Sequence, residues 1–443
     1  MNKMVRLGVV SLVAVGPLVV AAQAQTNYYS RDKYEAVTDR RQPEFDPEPV
    51  RVGSLLVNSQ ADLSAIATDN VFATNTNEES DTIIRIGVRA DARTNWSNHS
   101  VGLRVSADRD NYLDLSDQSN TNLRSELRGR LDVTRTVTFG ATAFADKLAE
   151  PRTEQANATG LDDPIEYTRF GGSVSANYSE DRLRWENSVT LADFNYDDGT
   201  VNNGASEFDQ DFRDRQHLQA RSRLSYAVSP DLAVFGQGSI SKIEYDTPQF
   251  FDAVTGAAID PETQSTVGAI QRVRDSDGYT IQGGIDFELQ ALIRGDIAVG
   301  YFKDNRDDPA FSDPSGLSVD GRVQWFPTRL TTVEFRAGRQ TVDLGLVNAA
   351  TSVQTRFSAN VAHELRRNII VALDAGIVQN KYEDIDRDED VLRFGASALY
   401  KMNKRVHFEA FARRTDRDVS GTQVFGSPDY EVNVVGIGLR LYP

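Results

Sequence analysis

The chain has 443 residues, no cysteine, 48 basic against 65 acidic side chains and a formal net charge of −17. Without cysteine there is no disulfide framework and no thiolate metal site. An acidic chain is a poor electrostatic partner for nucleic acid, and the repeated apolar runs of about 20 residues that a polytopic helical membrane protein needs are missing.

Residues 1–24 read as a secretory signal peptide. Lys3 and Arg6 precede an apolar stretch from Leu7 to Val20, and Ala22-Gln23-Ala24 offers a small-residue cleavage site. Ser11, Gly16 and Pro17 interrupt the stretch, so it is a weak membrane anchor. Residues 25–50 carry Pro43, Pro47 and Pro49 and show neither a period of 2 nor one of 3.6, which reads as a flexible periplasmic leader.

Residues 51–443 alternate. Ile84, Ile86, Val88, Ala90 and Ala92 share one face of their segment, and Arg85, Gly87, Arg89, Asp91 and Arg93 share the other. Val101, Leu103 and Val105 repeat the pattern against Gly102, Arg104 and Ser106, as do Leu123, Leu127 and Leu131 against Arg124, Glu126 and Arg128. At the end, Val435, Ile437, Leu439 and Leu441 stand against Gly436, Gly438 and Arg440. Successive strand residues point to opposite faces, so each segment has one apolar and one polar side. About 18 such segments follow one another from residue 52 to residue 442.

Every second connection is short: Ser97-Asn98-His99, Thr134-Arg135-Thr136, Ser179-Glu180-Asp181, Met402-Asn403-Lys404 and their counterparts. The alternate connections are mostly longer, as at 148–166, 195–213, 246–278, 304–316 and 415–429. Short periplasmic turns and long external loops mark outer-membrane barrels. The predicted fold is therefore all-β: a transmembrane up-and-down antiparallel β-barrel of about 18 strands, in the outer membrane of a Gram-negative bacterium, with both termini periplasmic. The spanning sheet must close, because every backbone polar group in a bilayer needs a partner.

Trp96, Trp185 and Trp325 all fall on the apolar face beside short turns, and Tyr178, Tyr226 and Tyr400 join them. Amphipathic rings settle at the membrane–water boundary, so these six are the expected inner aromatic girdle. Tyr279, Tyr301 and Tyr430 are candidates for the outer one. The chain ends Leu441-Tyr442-Pro443, with Tyr442 off the apolar phase, whereas such barrels often end in an aromatic residue read by the assembly machinery.

The basic residues are 40 Arg to 8 Lys. Arg85, Arg89, Arg93, Arg104, Arg124, Arg128, Arg169, Arg184, Arg221, Arg322, Arg336, Arg356 and Arg393 fall on the polar face and are the candidate lumen lining. Two readings stand: an ion-pair lattice that stiffens the wall, suited to the bidentate guanidinium, or a ladder for anionic or hydroxyl-rich chains passing through. The outer loops are acidic, with Asp197, Asp198, Glu207, Asp209 and Asp211, then Asp304, Asp307 and Asp308, then Glu383 to Asp390. Solvated surface and divalent-ion bridging to lipopolysaccharide both fit them. Asp384-x-Asp386-x-Asp388 is not an EF-hand, because Glu389 and Gly395 stand where that loop needs Gly and Glu.

No catalytic constellation, metal site or cofactor is expected. The four histidines offer one candidate, His217 near Asp209, Asp211 and Asp214, and neither a G-x-S-x-G nor an H-E-x-x-H motif occurs.

Three stretches are similar to a known group. They are Ala67-Thr68-Asp69-Asn70-Val71-Phe72; Gly300-Tyr301 with Asp307-Asp308-Pro309, Ser315-Gly316-Leu317-Ser318-Val319 and Trp325-Phe326-Pro327-Thr328-Arg329-Leu330-Thr331-Thr332; and Ala412-Arg413-Arg414-Thr415-Asp416-Arg417-Asp418. They resemble the "putative β-barrel porin 2" group, which includes VpsM-type outer-membrane proteins associated with exopolysaccharide export. The resemblance implies an outer-membrane barrel linked to polysaccharide secretion and carries no catalytic residues. The expected function is export of an exopolysaccharide; the alternatives are a general or sugar-selective diffusion porin and a structural or adhesive barrel. Expected partners are outer-membrane lipid and lipopolysaccharide, the barrel-assembly machinery and a periplasmic polysaccharide-export complex.

Overall fold

The computed structural model describes residues 35–154, 161–201, 204–253, 258–259, 264–290, 292–346, 349–421 and 429–443. The expected signal peptide lies outside the described residues. Eighteen long strands follow in chain order: β1 Leu55–Thr68, β2 Asp81–Thr94, β3 Ser100–Tyr112, β4 Asn120–Asp132, β5 Val137–Ala149, β6 Glu166–Glu180, β7 Leu183–Tyr196, β8 Arg215–Ser229 and β9 Leu232–Tyr245. The second half comprises β10 Ser276–Leu289, β11 Ile293–Arg306, β12 Ser315–Thr328, β13 Thr331–Leu346, β14 Ala349–Arg366, β15 Ile369–Tyr382, β16 Arg387–Lys401, β17 Val406–Gly421 and β18 Tyr430–Leu441.

Each strand pairs antiparallel with the next, and β1 closes the sheet on β18 from Ala61↔Leu441 to Thr68↔Val434. Closure removes both edges, which a membrane would otherwise leave with unpaired amides. The short turns are tight: His99 (φ 59°), Asp181 (φ 46°) and Gln290 (φ 51°) take the left-handed conformation that lets a turn match the twist of its strands. β1 begins and β18 ends at this short-turn end, so both ends of the barrel sequence lie there.

The two faces sort as the alternation predicts. Ile281 and Ile437 are 64% and 67% exposed on the outer surface, and Leu63, Val88, Leu127 and Leu373 stand out with them. A continuous apolar band of this extent is untenable in water and is what a transmembrane barrel presents to lipid.

The leader departs from expectation. Residues 35–50, patternless in the sequence, are seated at the short-turn mouth, and Val50–Val52 doubles back to pair with the start of β1. Their partners lie some 300 residues away on β13 to β17, so no local pattern announces the contact.

Candidate functional site: the barrel lumen

Contacts between distant strands identify the inner face. Arg215 on β8 reaches Asp343 on β13 at 3.6 Å, a chord across five strands. Gln282 on β10 donates to Ser318 on β12 at 2.9 Å, over the intervening strand. The arginines singled out in the sequence share this inner parity.

Many of them are ion-paired. Arg85 meets Asp110 at 2.5 Å, Arg104 meets Asp91 at 2.8 Å and Arg124 meets Asp108 at 3.2 Å. Arg128 pairs with Glu126, and Arg169 donates through Nε to Asp146 at 3.1 Å. Arg221 donates to Gln237 at 2.7 Å, and Arg184 is also engaged. Arg89, Arg93 and Arg393 make no ion pair among the described residues.

Strands β12 to β17 carry an arginine belt. Arg322 and Arg336 are register partners and share Glu334, at 2.7 and 2.6 Å. Arg356 stands opposite Gly338, Arg393 opposite Gly376 and Arg413 opposite Gly395. The glycines opposite Arg356 and Arg393 leave those long side chains room along the wall, whereas the space over Gly395 holds the Asp374 carboxylate. Arg356 donates to Gln354 rather than to a carboxylate, and Arg393 is near enough to repel it. At Arg356 and Arg393 the belt carries cationic charge with no ion pair among the described residues.

A second arrangement recurs three times. The Phe144, Phe235 and Phe411 rings lie against Gly171, Gly284 and Gly436, where a Cβ would collide with them. Over these rings sit Arg169 at 4.9 Å, Arg223 at 3.5 Å and Arg413 at 5.6 Å from the ring centroids. Each ring holds a guanidinium close to the wall by cation–π attraction. Arg413 is missing from the sequence-derived candidates. Its inner parity and the Phe two positions before it were the available signal.

At the long-loop end, charged groups are buried rather than solvated. Asp304 pairs with Arg306 at 3.4 Å, and Asp343 pairs with Arg306 at 3.2 Å. Glu389, expected in an outer acidic loop, is buried. It accepts from Arg387 at 2.7 Å, from Arg417 at 2.7 Å and from the Tyr382 hydroxyl at 2.6 Å. Tyr430 is not in an outer girdle: it is 3% exposed, with Arg417 over its ring at 5.5 Å. Asp384 accepts from the Ser312 and Ala350 amides at 2.7 and 2.9 Å, tying neighbouring loops. Asp198, Asp209 and Asp211 bring carboxylates within 4.8 Å of one another, the one such grouping among the described residues.

The 246–278 connection is inward and buried at its end near β10, while Val267 farther along it is exposed. Arg274 is buried with its guanidinium 4.6 Å from the Tyr245 ring centroid, and Val267 is 93% exposed. His217 faces inward, and no hydrogen bond joins it to Asp209, Asp211 or Asp214 among the described residues. Asp214 instead accepts from the Tyr196 amide and the Asn195 side chain, both at 2.7 Å.

At the short-turn end, Trp96, Trp185, Trp325, Tyr226 and Tyr400 point outward and are exposed, with Tyr178 half-buried beside them. Tyr442 turns inward, its ring centroid 4.8 Å from that of His407. Inside this mouth lies the leader. Val37 is fully buried with Ala362 and Ile370, and its amide donates to Thr332 Oγ1 at 3.0 Å. Arg40 pairs with Glu364 at 2.7 Å, Asp46 with the buried Lys401 at 2.6 Å, and the Phe45 carbonyl meets His407 Nε2 at 3.0 Å.

A family model described as "Putative beta-barrel porin 2" matches residues 42–442. No curated protein matches the chain. Among solved structures, a BenF-like porin from Pseudomonas fluorescens Pf-5 is 10% identical over 88% of this chain and 100% of its own, with a TM-score of 0.46. The ferric yersiniabactin uptake receptor FyuA from Yersinia pestis is also 10% identical, over 90% of this chain and 81% of its own, at 0.46. OccK2 (OpdF) from Pseudomonas aeruginosa, solved in complex with glucuronate, is 11% identical over 87% and 98%, at 0.44.

Proposed function

The chain belongs to the putative beta-barrel porin 2 family, and from that premise we propose that it is an outer-membrane channel through which an acidic exopolysaccharide leaves the cell. The belt carries this reading. Arg356 and Arg393 lack carboxylate partners and sit on an inner wall otherwise rich in ion pairs. A polyanion moving past such a row exchanges one weak contact for the next, so it is held enough to enter and loosely enough to leave. Arg169, Arg223 and Arg413, each over an aromatic ring, add to the cationic lining of the same wall. The short-turn end faces the periplasm, where an export complex delivers polymer, and the exposed Trp and Tyr ring anchors that end in the membrane interface.

The paired state of Arg85, Arg104 and Arg124 favours a second reading, a diffusion porin whose arginines only stiffen the wall. A clean deletion strain separates the two when surface polysaccharide and small-sugar uptake are measured together. Lost polymer with normal uptake supports export. Normal polymer with slowed uptake leaves the porin, and no change in either leaves a structural barrel.

A further inference from the structure

We propose that the leader, residues 35–48, is a displaceable gate seated in the short-turn mouth of the lumen. The inference rests on the channel reading of this lumen. The leader occupies the inner wall along β13 to β17, where a polymer entering from the periplasm must pass. Its attachment is specific. Three contacts join a leader group to a matching inward group, Val37 to Ala362 and Ile370, Arg40 to Glu364 and Asp46 to Lys401, and a fourth, exposed one joins Glu48 to Lys404 in the adjoining turn.

The attachment is also shallow. Val37 is the one leader side chain in an apolar cluster with the wall among the described residues, and the remaining ties are ionic or single hydrogen bonds. Gln42 is buried with neither its side-chain Nε2 nor its Oε1 hydrogen-bonded to protein, which disfavours the seated state and is relieved when the segment enters water. Lys401 and Glu364 are buried where leader groups pair with them, and water in the mouth can take the place of those partners. Two arrangements of one segment, close in free energy, make a gate that an incoming polyanion or a periplasmic partner can shift. A polyanion would compete with Asp46 and Glu48 for Lys401 and Lys404.

Because the chain has no cysteine, Val37→Cys with Ala362→Cys adds a single possible disulfide. The purified full chain is measured in planar bilayers, oxidised and then reduced, beside Val37→Asp, which unseats the leader without a cross-link. Oxidised channels are expected to hold a low conductance, reduced channels to gain a higher level, and Val37→Asp to occupy that level most of the time. Failure of the cysteines to cross-link in the folded, conducting barrel, or the same non-zero conductance in all three states, overturns the gate and leaves the channel reading standing. No conductance in any state, Val37→Asp included, overturns the channel reading itself.

Discussion

Glu389→Ala tests the buried charge network at the long-loop end. Arg387, Glu389 and Arg417 have side chains 0%, 0% and 1% exposed, and the one carboxylate serves both guanidiniums and the Tyr382 hydroxyl. Removing it takes from two buried guanidiniums the carboxylate they share. Breaking a buried pair by deleting one partner costs about 3–5 kcal/mol, most of it the stranded charge. With two stranded guanidiniums, the upper part of that range is expected. Glu389→Gln keeps one acceptor oxygen and should recover part of the loss. Arg387→Met/Glu389→Met/Arg417→Met removes every charge together and should come back to within about 2 kcal/mol of the wild type, since apolar replacement of a whole buried network is often neutral. The assay is equilibrium urea unfolding in lipid vesicles, read by tryptophan fluorescence. A Glu389→Ala loss below about 1 kcal/mol would mean that water reaches these groups and that the network is not buried.

Three further outcomes follow from the same geometry. Arg356→Gln/Arg393→Gln should shift the reversal potential toward cation selectivity at low salt. Each charge attracts an anion ~6 Å away by roughly 0.7 kcal/mol in a water-like dielectric, so the pair is worth about tenfold in permeability ratio. Asp214 is pushed up to about 6, chiefly by burial, and lies in the loop before β8. The folded state then binds the proton more tightly than the unfolded one, so this residue's contribution to stability falls as pH rises from about 4 to 6. Asp214→Asn should flatten that part of the pH profile of loop proteolysis. Finally, bromine placed near the lipid headgroups should quench the fluorescence of Trp96, Trp185 and Trp325 more than bromine at the chain ends; the reverse order would place them away from the interface.

What the sequence reveals here follows the range of the interactions. Strand number, the short-turn rhythm and the inner parity of Arg85 or Arg393 are local, written in the period-2 alternation and in the turn residues. What lies opposite across a lumen is not. Glu389 and Tyr430 look like loop and girdle residues until Arg417 closes over them from the neighbouring strand. The leader has no period because it forms no regular element, and its burial depends on Thr332, Glu364 and Lys401 far along the chain. The arginine belt was half legible. Its members have the right parity, but which of them lack a carboxylate emerges only from the register that places Gly338 and Gly376 beside Arg356 and Arg393.

The most direct test of an arginine-lined conduit for acidic saccharides is current blockade in a planar bilayer. Acidic and neutral oligosaccharides of equal length are added in turn to the short-turn side of single channels. The acidic chains should produce the longer blockades, and Arg356→Gln/Arg393→Gln should shorten them to the neutral level. Equal blockade by both chains, or blockades of unchanged length in the double variant, would contradict the account.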